Sequence, residues 1–320
     1  AHVFTNMFQG FLMIGVTAIV LWAGVQLMLS TDGFWALLEA KDPNLLTPIN
    51  PTSKLYNDWF STVVSGFCIG GALVCQPHIL TKALYVKTDR AVARYIAVFS
   101  VVFFLFCLLL LAGFWAHVAV TPEQLNDPTT GAFRQDLVMT VFLQNSFPDW
   151  LFTIISVVLL AAAMSTLDGL LVSISTITAN DLVLNLLAKF GKGNLTEEQQ
   201  FKIAFQASHV VLIVIAILTF GLTLNPPKLL GIFGQVGVYG LVLAAVPPLL
   251  AGILFKNANL KVVWTFSILA LVVHLGLFAQ GQNWFPNSTL AFGNPGLTAT
   301  IGLIASVVPT LLIHLFINRT

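Results

Sequence analysis

No charged residue separates Arg94 from Glu123. The intervening stretch is dominated by Phe, Leu, Val and Ala, and it exceeds the roughly 20 apolar residues that carry a helix across a bilayer. Runs of this kind recur along the 320-residue chain. Eight spans are expected: about Val3 to Met28, Trp59 to Leu80, Tyr95 to Val118, Trp150 to Leu184, Phe201 to Thr223, Leu229 to Phe255, Val262 to Gln280, and Leu297 to Ile317. The chain therefore reads as an all-α, polytopic membrane protein. Only 8% of its residues are charged, where a soluble domain carries about a quarter.

The placement of charge gives an orientation. Alternate loops hold Lys82, Lys87, Arg90 and Arg94, then Lys189, Lys192 and Lys202, then Lys256 and Lys261, and finally Arg319, ten basic residues in all. The other side holds Lys41, Lys54, Arg134 and Lys228. Basic residues collect on the cytoplasmic side, so both ends of the chain are expected inside, in a bacterial cytoplasmic membrane. A net charge of +1 gives no electrostatic reason to bind nucleic acid. Cys68, Cys75 and Cys107 fall within apolar spans at no metal or disulfide spacing, and are expected to pack. The chain opens on Ala1 and enters a span at once, so it is expected to be the rear portion of a longer protein.

The fourth span, DWLFTIISVVLLAAAMSTLDGLLVSISTITANDL, is apolar yet carries Ser165, Thr166 and Asp168. A carboxylate in such a span is costly and marks a bundle interior or a wet cavity. Ala162, Ser165 and Asp168 follow at i, i+3 and i+6, with Thr166 at i+4 from Ala162, which groups oxygen donors suited to a hard cation such as Na⁺. The structural alternative is that Ser and Thr bond back to i−4 carbonyls.

In the second span, Gly66, Gly70 and Gly71 precede Pro77, a combination that suggests a weakened or broken helix flanked by Gln76 and His78. Freed backbone groups at such breaks bind solutes in transporters. Close helix packing through Gly66 and Gly70 is the competing reading. Gln235 and Tyr239, at i and i+4 in the sixth span, either line a solute cavity or hydrogen-bond between helices. Pro247 and Pro248 are expected to break that span as a hinge or a static kink. His117, His209, His274 and His314 share no metal spacing and are expected to bond between helices. The loop segment FRQDLVMTVFLQ is amphipathic, and reads as a lid or as a plain surface helix.

Three segments together resemble the sodium:solute symporter family. AAAMSTLDGLLVSISTITANDL resembles its signature helix, CQPHILTKAL its GQPHI-type segment, and VFTNMFQG its W-T-D-x-x-Q segment. The resemblance implies a leucine-transporter-like fold of two inverted five-helix repeats plus extra helices. Residues 1–320 would form a single transmembrane domain, with 1–28 as core helix five, 59–255 as the second repeat and 262–317 as two extra helices. Core helices one to four, from the same protein or a separate chain, would be partners.

By position, the resemblance implies that the Ala162 carbonyl, Ser165 and Thr166 are Na⁺ ligands. It places a second Na⁺ or a proton between Asn6, which stands at the family's aspartate, and Asp168, which stands at a usual serine. The second span becomes core helix six, where family members contact solute. The substrate-binding candidates are then Gly70, Gly71, Ile69, Leu73 and Gln76, joined by Gln235 and Tyr239. Ile69 and Leu73 stand where proline transporters carry Trp and Tyr, which argues against proline and leaves a more apolar site.

The expected function is Na⁺-coupled symport of a small organic solute, such as a monocarboxylate or another organic anion. The alternatives are a symporter-like sensor linked to a signalling kinase, and a proton-coupled carrier of the same fold. No nucleophile, base and orienting group stand at an enzymatic spacing.

Overall fold

The computed structural model describes residues 2–76, 79, 86–127, 131–190, 195–224 and 229–317. Pro77, His78, Leu80, Lys82, Lys192, Lys228 and Arg319 lie outside the described residues. In chain order the helices are α1 (His2–Ser30), α2 (Phe34–Lys41), a π-helical stretch (Phe60–Val64) leading into α3 (Ser65–Leu73), α4 (Asp89–Leu108), α5 (Ala112–Ala119), α6 (Val138–Ser146) and α7 (Asp149–Thr176). A second π-helical stretch (Ile177–Val183) joins α7 to α8 (Leu184–Phe190). The chain continues through α9 (Glu197–Leu224), α10 (Leu230–Leu254), α11 (Leu260–Trp284) and α12 (Pro295–Ile317). Among the described residues there is no strand, only a bridge between Asn126 and Phe133.

Among the described residues, seven helical segments are long and apolar enough to cross a membrane. They expose large apolar side chains such as Phe4, Phe11, Trp22, Phe103 and Phe104. Exposed apolar surface on this scale requires lipid or another partner, and the chain is an integral, multi-pass membrane protein.

The second expected span, Trp59 to Leu80, holds an apolar helix from Phe60 to Leu73, and Pro77 beyond it lies outside the described residues. Its helix ends between the glycines and Pro77. α3 runs through Gly66, Gly70 and Gly71 and stops at Leu73. There the Cys75 and Gln76 amides donate to the Ala72 and Leu73 carbonyls, tight i−3 bonds that close the last turn. Pro247 and Pro248 do not break the sixth span, because α10 is helical across both. Each proline removes one N–H, but Pro247 and neighbouring Val246 are buried, and packing of this kind holds a membrane helix through the lost bonds.

The chain divides into two compact units, one of Ala1–Asp32 and Tyr95–Lys228, the other of Gly33–Arg94 and Leu229–Thr320. In the first unit α1 packs on α7 and α5. A Cβ at Gly24 would lie 2.2 Å from the Trp115 ring, so glycine is what lets α1 and α5 approach. Trp115 stacks on Phe142 at 6.1 Å between centroids. Phe142 is fully buried and Leu143 nearly so, which fixes α6, the helix within the amphipathic loop segment. In the same loop Arg134 donates to Asp136 at 2.8 Å, and that bond holds the Asp136 carboxyl below the usual carboxylate range.

In the second unit α10, α11 and α12 pack together and α3 lies against α10 and α12. Ile69, Leu243, Ala270 and Ala299 form the core. α11 and α12 approach closely at Gly302, where a Cβ would stand 2.8 Å from the Ala270 carbonyl oxygen. His274 is fully buried and joins three helices, its Nδ1 2.9 Å from Thr298 Oγ1 and its Nε2 3.1 Å from the Val236 carbonyl. His314 Nε2 accepts the Asn259 amide at 2.8 Å. His209 pairs instead within its own helix, with the Phe205 carbonyl.

Candidate functional site

The oxygen donors of α7 spread around the helix instead of forming one buried row. Ser165 is half-buried and donates to Asn6 Oδ1 on α1 at 2.6 Å. One turn further along α1 from Asn6, Gln9 Nε2 donates to the Ala161 carbonyl at 3.1 Å. These two bonds pin α1 to α7 beside Ala162. Thr166 is exposed, and its hydroxyl donates to the Ala162 carbonyl at 3.0 Å. Asp168 is also exposed, about 60° around the helix from Ser165. Among the described residues it has no hydrogen-bond or ion-pair partner, and no bond joins it to Asn6. Ser173 and Thr176, further along, donate to the i−4 carbonyls of Gly169 and Val172.

The donor set decides which ion this surface fits. Ala162 O, Thr166 Oγ1 and Ser165 Oγ are hard, neutral oxygens, and Asp168 adds one carboxylate. No cluster of three or more His, Cys, Asp or Glu occurs among the described residues. Transition metals favour imidazole and thiolate, whereas hydroxyl and carbonyl oxygens suit a hard cation. The residues present fit Na⁺.

The second unit holds a cavity of about 170 Å³. Ile69, Gly70 and Leu73 come to it from α3, and Gln235 and Tyr239 from α10. Of the seven substrate candidates these five share one space; Gly71 and Gln76 are not among its lining residues. Gln76 is nearly buried and donates to the Leu73 carbonyl at 3.1 Å, so its amide closes the end of α3. A Cβ at Gly66 or Gly70 would meet no atom within 4 Å, which removes close packing as the reason for these glycines in this chain. Both line the cavity, and the missing side chains are part of its volume.

Sequence reasoning missed one wall of the cavity. Tyr56, Ser61, Thr62, Ser65, Asn294 and Gly296 line it as well. Asn294 donates to the carbonyls of Leu55 and Ser61 and accepts the Gly296 amide, which ties the start of α12 to the segment before α3. Ser61 is capped by Asp58, which accepts its amide and its hydroxyl. The signal was present as hydroxyls in the apolar run FSTVVSGF. Helical periodicity did not interpret it, because Phe60–Val64 is wound as a π-helix. Such stretches recur at functional sites.

A sodium/pantothenate symporter from Haemophilus influenzae is 25% identical to this chain over 260 residues, 81% of the chain and 50% of the relative. The chain thus spans about half the length of that curated relative. No solved structure matches. The Sodium:solute symporter family profile matches residues 1–264. That match covers α1, both π-helical stretches, α7 and the cavity wall on α10, and the chain belongs to the sodium:solute symporter family.

Proposed function

We propose that this chain serves Na⁺-coupled symport of a small organic solute, with Na⁺ and solute both as cargo. The observation that carries the solute half is the cavity where Ile69, Gly70 and Leu73 of α3 meet Gln235 and Tyr239 of α10. The ion half rests on the hard oxygens of Ala162, Ser165 and Thr166 together with the family. In this reading α1 is core helix five, α7 core helix eight and α10 core helix ten, and the segment to Leu73 lies in core helix six. Backbone carbonyls of core helix one would supply the remaining ligands. Ser165, released from Asn6, and the Ala162–Thr166 oxygen pair would hold the ion. The inward Na⁺ gradient supplies the driving force, since one charge crossing 100 mV is worth about 2.3 kcal/mol. The charge bias supports cytoplasmic ends and a bacterial inner membrane.

A monocarboxylate is the proposed solute class. Pantothenate, carried by the similar protein, belongs to it and is the first solute to try. The test is uptake of labelled pantothenate and of short monocarboxylates by the full-length protein in proteoliposomes, with Na⁺ against K⁺ or choline outside. Na⁺-dependent uptake of one of them supports the proposal, and uptake indifferent to Na⁺ removes the coupling.

One observation favours a second reading of the ion. Asp168 is an exposed carboxylate without a partner on an apolar helix, which suits proton coupling or a second Na⁺. Asp168→Asn is expected to alter ion stoichiometry or the pH dependence of uptake. An unchanged stoichiometry and pH profile would exclude Asp168 from both roles.

A further inference from the structure

A pocket of different character lies in the first unit, where the π-helical stretch Ile177–Val183 packs on α9. Its volume is about 400 Å³, within the roughly 300–1,000 Å³ of small-molecule sites. Ala179, Asn180, Phe201, Lys202, Ala204 and Phe205 line it, and only Lys202 among them is charged. Lys202 and Asn180 are both exposed, so a ligand can reach their side chains.

Helix length sets the depth of this pocket in the bilayer. The helical run that contains α7 extends from Asp149 to Lys189. From Asp149 to Asn180 it rises about 45 Å at 1.5 Å per residue, and a bilayer with its headgroups is about 40–45 Å thick. Asn180 therefore stands at the level of the headgroups. Lys202 lies in the second turn of α9, which starts on the same side at Glu197. Its ammonium can extend to the headgroups while its methylenes stay on apolar surface. Ile177, Leu182, Ile203 and Phe205 expose apolar side chains nearby, suited to acyl chains. The charge bias supports the cytoplasmic leaflet, whose surface is anionic.

The charges around the pocket select the headgroup. Lys202 has no ion pair among the described residues. A phosphodiester brings one negative charge for its ammonium and acceptor oxygens for the Asn180 amide. Glu198, one turn earlier on α9, and Asp181, next to Asn180, do not line the pocket. Their carboxylates disfavour a head with more than one negative charge. A headgroup ammonium would find no carboxylate in the lining. A free phosphate would leave Phe201 and Phe205 uncovered, whereas an acyl chain covers them.

We infer that this pocket binds a singly charged anionic glycerophospholipid, with its phosphodiester on Lys202 and Asn180 and an acyl chain along Phe201 and Phe205. The lipid clips the end of the α7 run to α9. The site depends on neither the solute nor the coupling ion. The full-length protein in detergent is titrated with phosphatidylglycerol, phosphatidylethanolamine or glycerol phosphate, and native mass spectrometry counts the adducts. Wild type is compared with Lys202→Gln, Lys202→Arg, Ala179→Leu and Lys261→Gln. Lys261 is exposed at the start of α11, outside the pocket lining, and serves as the charge-matched control.

Wild type is expected to retain phosphatidylglycerol in preference to phosphatidylethanolamine. Glycerol phosphate, which lacks acyl chains, should not displace it. Lys202→Gln should weaken phosphatidylglycerol binding about fivefold, the scale of one lysine at an anionic lipid surface, and Lys202→Arg should keep it. Ala179→Leu fills the pocket without changing charge and should weaken binding by a similar factor, whereas Lys261→Gln should leave it unchanged. Phosphatidylglycerol that fails to bind, binds no better than phosphatidylethanolamine, is displaced by glycerol phosphate, or ignores Lys202→Gln or Ala179→Leu overturns the inference. Equal losses in Lys202→Gln and Lys261→Gln overturn it too, because they mark a diffuse charge effect with no pocket behind it.

Discussion

α7 and the Phe60–Leu73 segment both carry hydroxyls in apolar sequence, yet they use them differently. On α7 the backbone is α-helical, and Thr166 and Thr176 return their protons to carbonyls one turn back. Ser165 departs from that pattern by reaching across to Asn6. In the Phe60–Leu73 segment the first turns are π-helical and Thr62 keeps a buried, unpaired hydroxyl beside a cavity. The same residue type, threonine, thus bonds back along the helix in one region and stays unpaired in the other. Backbone winding, not composition, makes the difference.

The glycines sharpen the contrast with the largest expected effect. Gly70 faces open cavity, so Gly70→Leu should fold but fill the solute space. Solute uptake should fall by about 10- to 100-fold, the cost of an overpacked site. Gly71 lies outside the cavity lining, and Gly71→Leu should leave uptake within about threefold, the scale of a surface change. Equal losses at both positions would break the assignment of the cavity as the solute site.

Gly302 is the opposite kind of glycine. Its Cβ would meet the Ala270 carbonyl at 2.8 Å and Leu243 Cδ1 at 3.3 Å. Gly302→Ala should destabilise the protein by about 1–3 kcal/mol, visible as a lower thermal midpoint. A midpoint equal to wild type would show that α11 and α12 part more easily than the packing indicates. Asn6→Ala removes the partner of Ser165 and should cost about 1 kcal/mol, with a shift in apparent Na⁺ affinity as the functional readout. The smallest effect belongs to Thr176→Val, which removes only a back-bond and should change both stability and Na⁺ affinity by no more than about 0.5 kcal/mol.

Long apolar runs made the helices legible, because crossing a bilayer sets a length that few other structures need. Local winding was not legible in the same way. Gly66, Gly70 and Gly71 ahead of Pro77 suggested a weakened or broken helix without saying where; α3 continues through the glycines and ends at Leu73, where i−3 bonds tighten the turn. Pro247 and Pro248 suggested another, but burial holds α10 together. Five of the seven solute candidates could be gathered from family position and i, i+4 spacing. Thr62, Tyr56 and Asn294 could not, since they reach the cavity through a π-helical stretch, a loop and the start of α12. For the ion, residue types pointed to Ala162, Ser165 and Thr166. The Ser165–Asn6 bond, which links α7 to a residue 159 positions earlier, needed the tertiary structure.

Saturable ²²Na⁺ binding to the full-length protein, wild type against the Ser165→Ala/Thr166→Ala double variant, tests the central claim most directly. Sodium coupling through α7 predicts saturable binding in wild type and its loss in the double variant, with Thr176→Val retaining it. Equal binding by wild type and the double variant, or no saturable binding in wild type, would contradict it.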